Sequence, residues 1–236
     1  SGPEFQTAET LAKIGGRPLG LALDAGGDII TCVAGMGLER VTMAGKVTLL
    51  ADQTSRTLIS VRDDRTIRMA DDLDIAPDGV ICFTDATRRY VIENLGMDLL
   101  EGRPNGRLLA HDPKTGKTRT VCDQLIFPNG VCVTHDGKHL LVASSWTCSI
   151  LIFDLADMSA GQRVFMSGLP GYPDTINRAS DGGYWIALAG MRNPVFDAAT
   201  TLPGVRRRMA RQVPPTNSFS ASRTFLPACP RRSAAM

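Results

Sequence analysis

The sequence is defined first by what it lacks. No apolar run approaches the roughly 18 residues a membrane-spanning helix needs, which argues against such a helix. Its six cysteines form no C-x-x-C pair and no zinc-like spacing, so a thiolate metal module is disfavoured. There is no G-x-S-x-G, which argues against a serine hydrolase elbow; Ser144 and Ser145 read as the end of an inner strand. With only three histidines, at His111, His135 and His139, a histidine metal centre has little to draw on, and all three read as surface residues. Gly and Pro supply 23 and 14 of 236 residues, too few for a low-complexity or collagenous chain. No basic n-region and apolar core open the chain, so no signal peptide is visible.

Acidic residues are missing from one region only. Pro203–Met236 contains seven arginines and no Asp, Glu or Lys. Removing those seven from the 26 basic residues leaves 19 against 24 acidic ones, so a body of net charge −5 is joined to a +7 end beneath an average of +2. The arginines could meet phosphates, but no aromatic residue is interleaved among Arg206–Arg211 to stack on bases, and nucleic acid is not expected as a partner. The cysteines mostly lie in apolar stretches such as Ile81-Cys82-Phe83 and Val131-Cys132-Val133, as buried free thiols of a reducing, cytoplasmic chain would.

What is present is a repeat. Leu19-Gly20-Leu21, Asp71-Asp72-Leu73, Asn129-Gly130-Val131 and Asp174-Thr175-Ile176 each open a short strand. Each opening residue lies eight positions before a turn glycine, respectively Gly27, Gly79, Gly137 and Gly182. A more apolar strand follows each time, and an Asp-Gly turn between alternating strands is a strong hairpin signal. Further strands are expected at Gly106–Ala110, Lys117–Val121 and Ser149–Phe153, and the single helical stretch near Arg206–Arg211. Four short strands per unit of roughly 45–60 residues describe a blade of a β-propeller; a β-sandwich is the structural alternative. The fold expected is therefore all-β, an incomplete β-propeller of about 3.5–4 blades. It divides into an N-terminal segment 1–9, a partial propeller 10–202 and a basic C-terminal segment 203–236, irregular after about 215.

The innermost strand of each propeller blade lines the central channel, so Leu19, Asp71, Asn129 and Asp174 should converge on the axis. Three of these four carry oxygen donors of the kind a hard cation such as Ca²⁺ takes, with Asx residues that merely open turns as the alternative.

The motifs Leu73-Asp74-Ile75-Ala76-Pro77-Asp78-Gly79, Arg103-Pro104-Asn105-Gly106-Arg107, Phe127-Pro128-Asn129-Gly130 and Tyr172-Pro173-Asp174 resemble the strictosidine-synthase-like proteins. That group belongs to a superfamily of six-bladed propellers with gluconolactonases, regucalcin and luciferin-regenerating enzyme. The resemblance runs from about Thr10 to Pro215 and implies one axial divalent cation, Ca²⁺ foremost and Zn²⁺ or Mn²⁺ otherwise. It implies Asn129 and Asp174 as metal ligands, Asp174 also as catalytic base, and Asp71 as a contact to metal or substrate. Its metal-binding Glu, in a Gly-Pro-Glu context, is matched only by Glu4, which reads as vector sequence, with a remnant of that site as the alternative. Measured against the family, the chain reads as truncated at both ends. The late-blade Glu of strictosidine-type condensation has no counterpart, which disfavours that reaction.

The resemblance thus implies a metal-dependent hydrolase of lactones or esters, with phosphotriester hydrolysis as a side activity and Asp174 or Asp71 as general base. The alternative is a non-enzymatic binding or scaffold propeller with a structural axial metal. Uncovered blade faces would favour a homodimer or higher homo-oligomer, with Glu9–Ile14 lending a strand to a second copy.

Overall fold

The computed structural model describes residues 9–56 and 65–212. Glu4, Cys229 and the end of the chain from residue 213 lie outside them. Three four-stranded antiparallel meanders follow one another: β1 Arg17–Leu23, β2 Ile29–Ala34, β3 Gly37–Val41 and β4 Val47–Ala51; then β5 Ala70–Ile75, β6 Ile81–Asp85, β7 Gly106–Asp112 and β8 Lys117–Leu125; then β9 Pro128–Val133, β10 His139–Ser144, β11 Ser149–Asp154 and β12 Arg163–Met166. A two-stranded sheet, β13 Gly171–Arg178 with β14 Tyr184–Met191, comes last. The four sheets are successive blades, as the repeat predicts. The first strands β1, β5, β9 and β13 contact one another in that order around the axis.

The eight-residue offset has a local cause. Gly27, Gly79, Gly137 and Gly182 all have positive φ, between 68° and 88°, which glycine adopts without a steric cost. The turn aspartates Asp24, Asp78, Asp136 and Asp181 each accept a hydrogen bond from the backbone N–H two residues on. This Asx turn makes the hairpin a matter of local sequence.

Strand alternation then builds the interfaces. Ile81 and Phe83 on β6 face the first blade and join Ile30, Leu38 and Leu73, while Cys82 between them faces the third blade with Leu108, Val131 and Phe153. The pattern repeats one blade on: Val131 and Val133 face back, and Cys132 faces forward onto Leu141, Ile150 and Ile176. A middle blade is thus buried on both faces, each fully buried large side chain contributing roughly 1.5–3 kcal/mol.

Three helices sit on this frame: α1 Leu95–Glu101, α2 Pro194–Thr200 and α3 Pro203–Gln212. Only α3 is expected from the sequence; α1 and α2 are two turns long, too short to show a period. Asn193 caps α2, accepting from the N–H groups of Val195 and Phe196, with Pro194 at the first helical position. Arg206 of α3 donates Nε to the Leu100 carbonyl at 2.8 Å and Nη2 to that of Glu101, satisfying the last carbonyls of α1.

One smaller expectation needs correction. His111 is buried, not a surface residue: it lies on β7 with 2% exposure and its Nδ1 is 2.9 Å from Thr118 Oγ1. Ser144 ends β10, which pairs with β9 on one side and β11 on the other, as expected of an inner strand. Within the single chain Glu9–Ile14 forms no strand, and the Leu11 carbonyl lies against Gly45.

Candidate functional site

The four register residues do meet. Leu19, Asp71, Asn129 and Asp174 line two cavities in common, one of about 530 Å³ and one of about 600 Å³. They form a collar between the two. Backbone geometry explains why. In every inner strand two residues oppose one across the hairpin: Leu19–Gly20 face Cys32, Asp71–Asp72 face Thr84, Asn129–Gly130 face Ala143, and Asp174–Thr175 face Ala187. A β-bulge therefore falls at the same register in all four blades, and bulges re-aim the side chains they carry.

The two bulge residues have different tasks. The second one holds neighbouring blades together. Asp72 accepts from the Val131 N–H at 3.0 Å, tying β5 to β9, and from its neighbour Leu73 at 3.0 Å. Gly20 and Gly130 occupy the equivalent position where backbones touch: a Cβ on Gly20 would lie 2.4 Å from Asp72 Oδ1, and one on Gly130 2.2 Å from the Asp174 carbonyl. Two residues further along β5, Asp74 accepts from the Val133 N–H at 2.8 Å and from Arg178 Nη1.

The first residue is left free. Among the described residues the side chains of Asp71, Asn129 and Asp174 have no hydrogen-bond partner. Asp71 and Asn129 are buried, at 9% and 8% exposure, and Asp174 is half-buried. Burial pushes the Asp71 carboxyl well above its ordinary range, and the charges of Asp174, Asp72 and Asp85 push it further. Asp72 rises to about 6, mainly through burial, with the Val131 and Leu73 N–H groups opposing the rise. Asp85 belongs to a separate buried arrangement, pairing with Arg107 at 2.8 Å and accepting from the Met69 N–H.

Asp71 and Asn129, which line both cavities, and the half-buried carboxylate of Asp174 suit a hard cation in donor chemistry. Among the described residues no group of three or more His, Cys, Asp and Glu is disposed to hold a metal. The set here has two such residues, Asp71 and Asp174, and an amide, Asn129. Glu4, the other sequence candidate, lies outside the described residues.

Sequence reasoning missed the upper cavity's walls. Phe127 has a positive φ of 45°, a strained backbone for a bulky residue, and its ring stacks on Trp146 at 4.2 Å. Trp146 meets Tyr172 edge-on at 5.8 Å. Arg17 and Glu93 add charge to this cavity beside Asp71 and Asp174. No periodicity marks these positions, because each sits at a strand end or in a turn.

Residues 71–153 match the family model described as Strictosidine synthase. Over that stretch the chain is similar to that family, in agreement with the motifs. It is 34% identical over 203 residues to the strictosidine synthase-like 7 protein of Arabidopsis thaliana, covering 86% of this chain and 52% of that one. It is 32% identical over 185 residues to the adipocyte plasma membrane-associated protein of Danio rerio, covering 77% and 43%. The chain thus spans about half the length of the curated relatives it matches. In fold it resembles a gluconolactonase of Xanthomonas campestris, with a TM-score of 0.58 at 21% identity over 76% of this chain and 59% of the other. No helix among the described residues is long and apolar enough to cross a membrane.

Proposed function

We propose that this chain carries the collar of a metal-dependent hydrolase acting on lactones or esters. The observation that carries this reading is the unpartnered trio Asp71, Asn129 and Asp174 between two cavities. A divalent cation, Ca²⁺ before Zn²⁺ or Mn²⁺, held by these three would supply Lewis-acid polarisation of the substrate carbonyl.

The chain's own groups supply the proton transfers. Asp174, half-buried and reached from both cavities, takes the proton of a water whose oxygen adds to the carbonyl carbon. Collapse of the tetrahedral adduct breaks the bond to the leaving alkoxide, which recovers that proton. Asp71, the more buried carboxylate, is the alternative base. Phosphotriesters fit the same collar as side substrates, since charge again develops on an oxygen facing it.

The resemblance in fold to a gluconolactonase supports the architecture, and the collar's donor chemistry supports the reaction class. The test is hydrolysis of a lactone and aryl-ester panel with and without chelator, in the parent and in Asn129→Ala. Turnover indifferent to both changes refutes the reading. A melting temperature that responds to Ca²⁺ without hydrolysis of any panel member supports the second reading, a binding or scaffold propeller with a structural axial ion. That reading draws on the relative in Danio rerio, whose name states no reaction.

Two accompanying proposals concern setting. The free thiols of Cys32, Cys82, Cys122, Cys132 and Cys148 fit a reducing compartment such as the cytoplasm. Exposed Leu21 and Leu23 on β1, with Trp185 and Met191 on β14, fit a second copy of this chain. A concentration-independent monomer in light scattering would refute self-association.

A further inference from the structure

Trp146 is held more firmly than a wall residue needs. It lies in the short turn Ser145–Thr147 after β10, and its Nε1 donates to Asp98 Oδ1 at 3.0 Å. Asp98 projects from α1 with no exposed surface, and Asn105 Nδ2 donates to its other oxygen at 3.1 Å. Burial raises the Asp98 carboxyl above its ordinary range, while the hydrogen bonds from Thr87, Asn105 and Trp146 oppose that rise. A buried carboxylate is a costly way to orient an indole, and hydrogen bonds to charged groups are the stronger kind. Phe127 beneath the ring and Tyr172 at its edge complete the clamp.

Behind the clamp is a further cavity of about 340 Å³. It lies where α2 and α3 meet the third and fourth blades, and its walls set Ile126, Cys148 and Phe196 beside Thr200, Arg206 and the ion pair of Arg192 with Asp197. Three residues line both this chamber and the 600 Å³ cavity above the collar: Leu99, Trp146 and Tyr172. They are the partition between the two spaces. At about 30 Å³ per water-sized group, the rear chamber has room for about ten.

We infer that Trp146, latched by Asp98, is a specificity-determining partition that limits the length of the chain carried by a ligand bound at the collar. This rests on the hydrolase reading for its choice of ligand but not for its geometry. The collar holds the polar end, the aromatic clamp stops the chain, and removal of the indole opens the rear chamber to longer chains. Asp98 acts through Trp146 and is a positioning residue.

The experiment compares kcat/KM for butanoyl and dodecanoyl aryl esters in the parent, Trp146→Ala, Trp146→Phe and Asp98→Asn. Trp146→Ala should raise the long-to-short ratio at least tenfold, Trp146→Phe should keep the parent ratio within about threefold, and Asp98→Asn should fall between. A ratio unchanged in Trp146→Ala while activity persists overturns the partition. If the parent hydrolyses neither ester, the hydrolase reading fails separately, and calorimetry with methyl butanoate and methyl decanoate decides the partition. A gain of at least tenfold in decanoate affinity in Trp146→Ala then supports it, and equal affinity overturns it. Should Trp146→Ala not fold, Asp98→Asn in a Trp185→Phe background leaves Trp146 the sole tryptophan, since the chain has two and Trp185 is 72% exposed. Its emission should then respond to methyl decanoate at lower concentration than in Trp185→Phe alone; an identical response overturns the inference.

Discussion

Replacing Asp71 by Asn changes one atom and removes one charge at the collar. In the folded chain that charge is buried, accepts no hydrogen bond from the described residues, and faces Asp174 and Asp72. The amide has the same shape and forfeits no bond. Without metal the carboxylate is therefore a burden on the fold, and linkage bounds it. Holding a carboxyl neutral at pH 7 costs at most about 4 kcal/mol, from about 1.4 kcal/mol per unit above an unfolded value near 3.9. The amide has its own desolvation cost, so Asp71→Asn should stabilise the metal-free chain by about 1–3 kcal/mol. For a domain of this size that is a melting temperature higher by about 2–10 °C. The folded-state affinity of Asp71 for a proton is raised, so its penalty is complete above the folded pKa and shrinks as pH falls. Below the unfolded pKa, where Asp71 is protonated in both states, the variant's advantage should disappear. Saturating Ca²⁺ should reverse the order, because the parent gains about 4.1 kcal/mol at a thousand times Kd and the variant gains far less. Melting followed by circular dichroism, with chelator or Ca²⁺ and across acid to neutral pH, measures all three effects. An Asp71→Asn chain that is less stable in chelator, or that keeps the full Ca²⁺ response, refutes the reasoning.

Gly130→Ala should destabilise the chain by about 2–4 kcal/mol, as overpacking does, because its Cβ would meet the Asp174 carbonyl and the Ile176 N–H across β9 and β13. Denaturant unfolding checks it, and a loss below about 0.5 kcal/mol would show that the two strands part easily. Arg107→Ala should cost about 3–5 kcal/mol, since it leaves the buried Asp85 carboxylate without its counter-charge; double replacement of both by apolar residues should recover much of the loss. Thiol labelling of the native chain should modify Cys122, the least buried of the five described cysteines, well before Cys32 or Cys82. Burial raises both of those thiols, Cys82 to about 12. Labelling of Cys82 as fast as Cys122 would contradict its place between blades.

The hairpins were legible because their determinants are local. Asp78-Gly79 and Asp136-Gly137 state both the positive φ and the side-chain bond that make the turn. The collar was legible for a related reason: counting back eight residues from each glycine reaches Asp71, Asn129 and Asp174, and the bulge falls at that same register in each inner strand. Other features depend on contacts between distant segments. Nothing near Trp146 announces that Asp98, 48 residues away, will hold its indole. His111 looked like a turn residue because it precedes Asp112, yet the register of β7 with β8 places it against Thr118. Helices α1 and α2 were too short for periodicity, and the partner of α1 is an arginine more than a hundred residues on.

The bulge at one register of every inner strand has a consequence for how such a molecule can change. Its second residue is committed to the joint between blades, as Asp72, Gly20 and Gly130 are, whereas its first residue is committed to nothing but the axis. Inheritance can therefore rewrite the chemistry of the axis one blade at a time. Leu19 in place of an acid, or Asn129 in place of an aspartate, leaves every seam intact. Structure and reactivity are assigned to adjacent letters of the chain, so a new activity can be tried without first dismantling the scaffold.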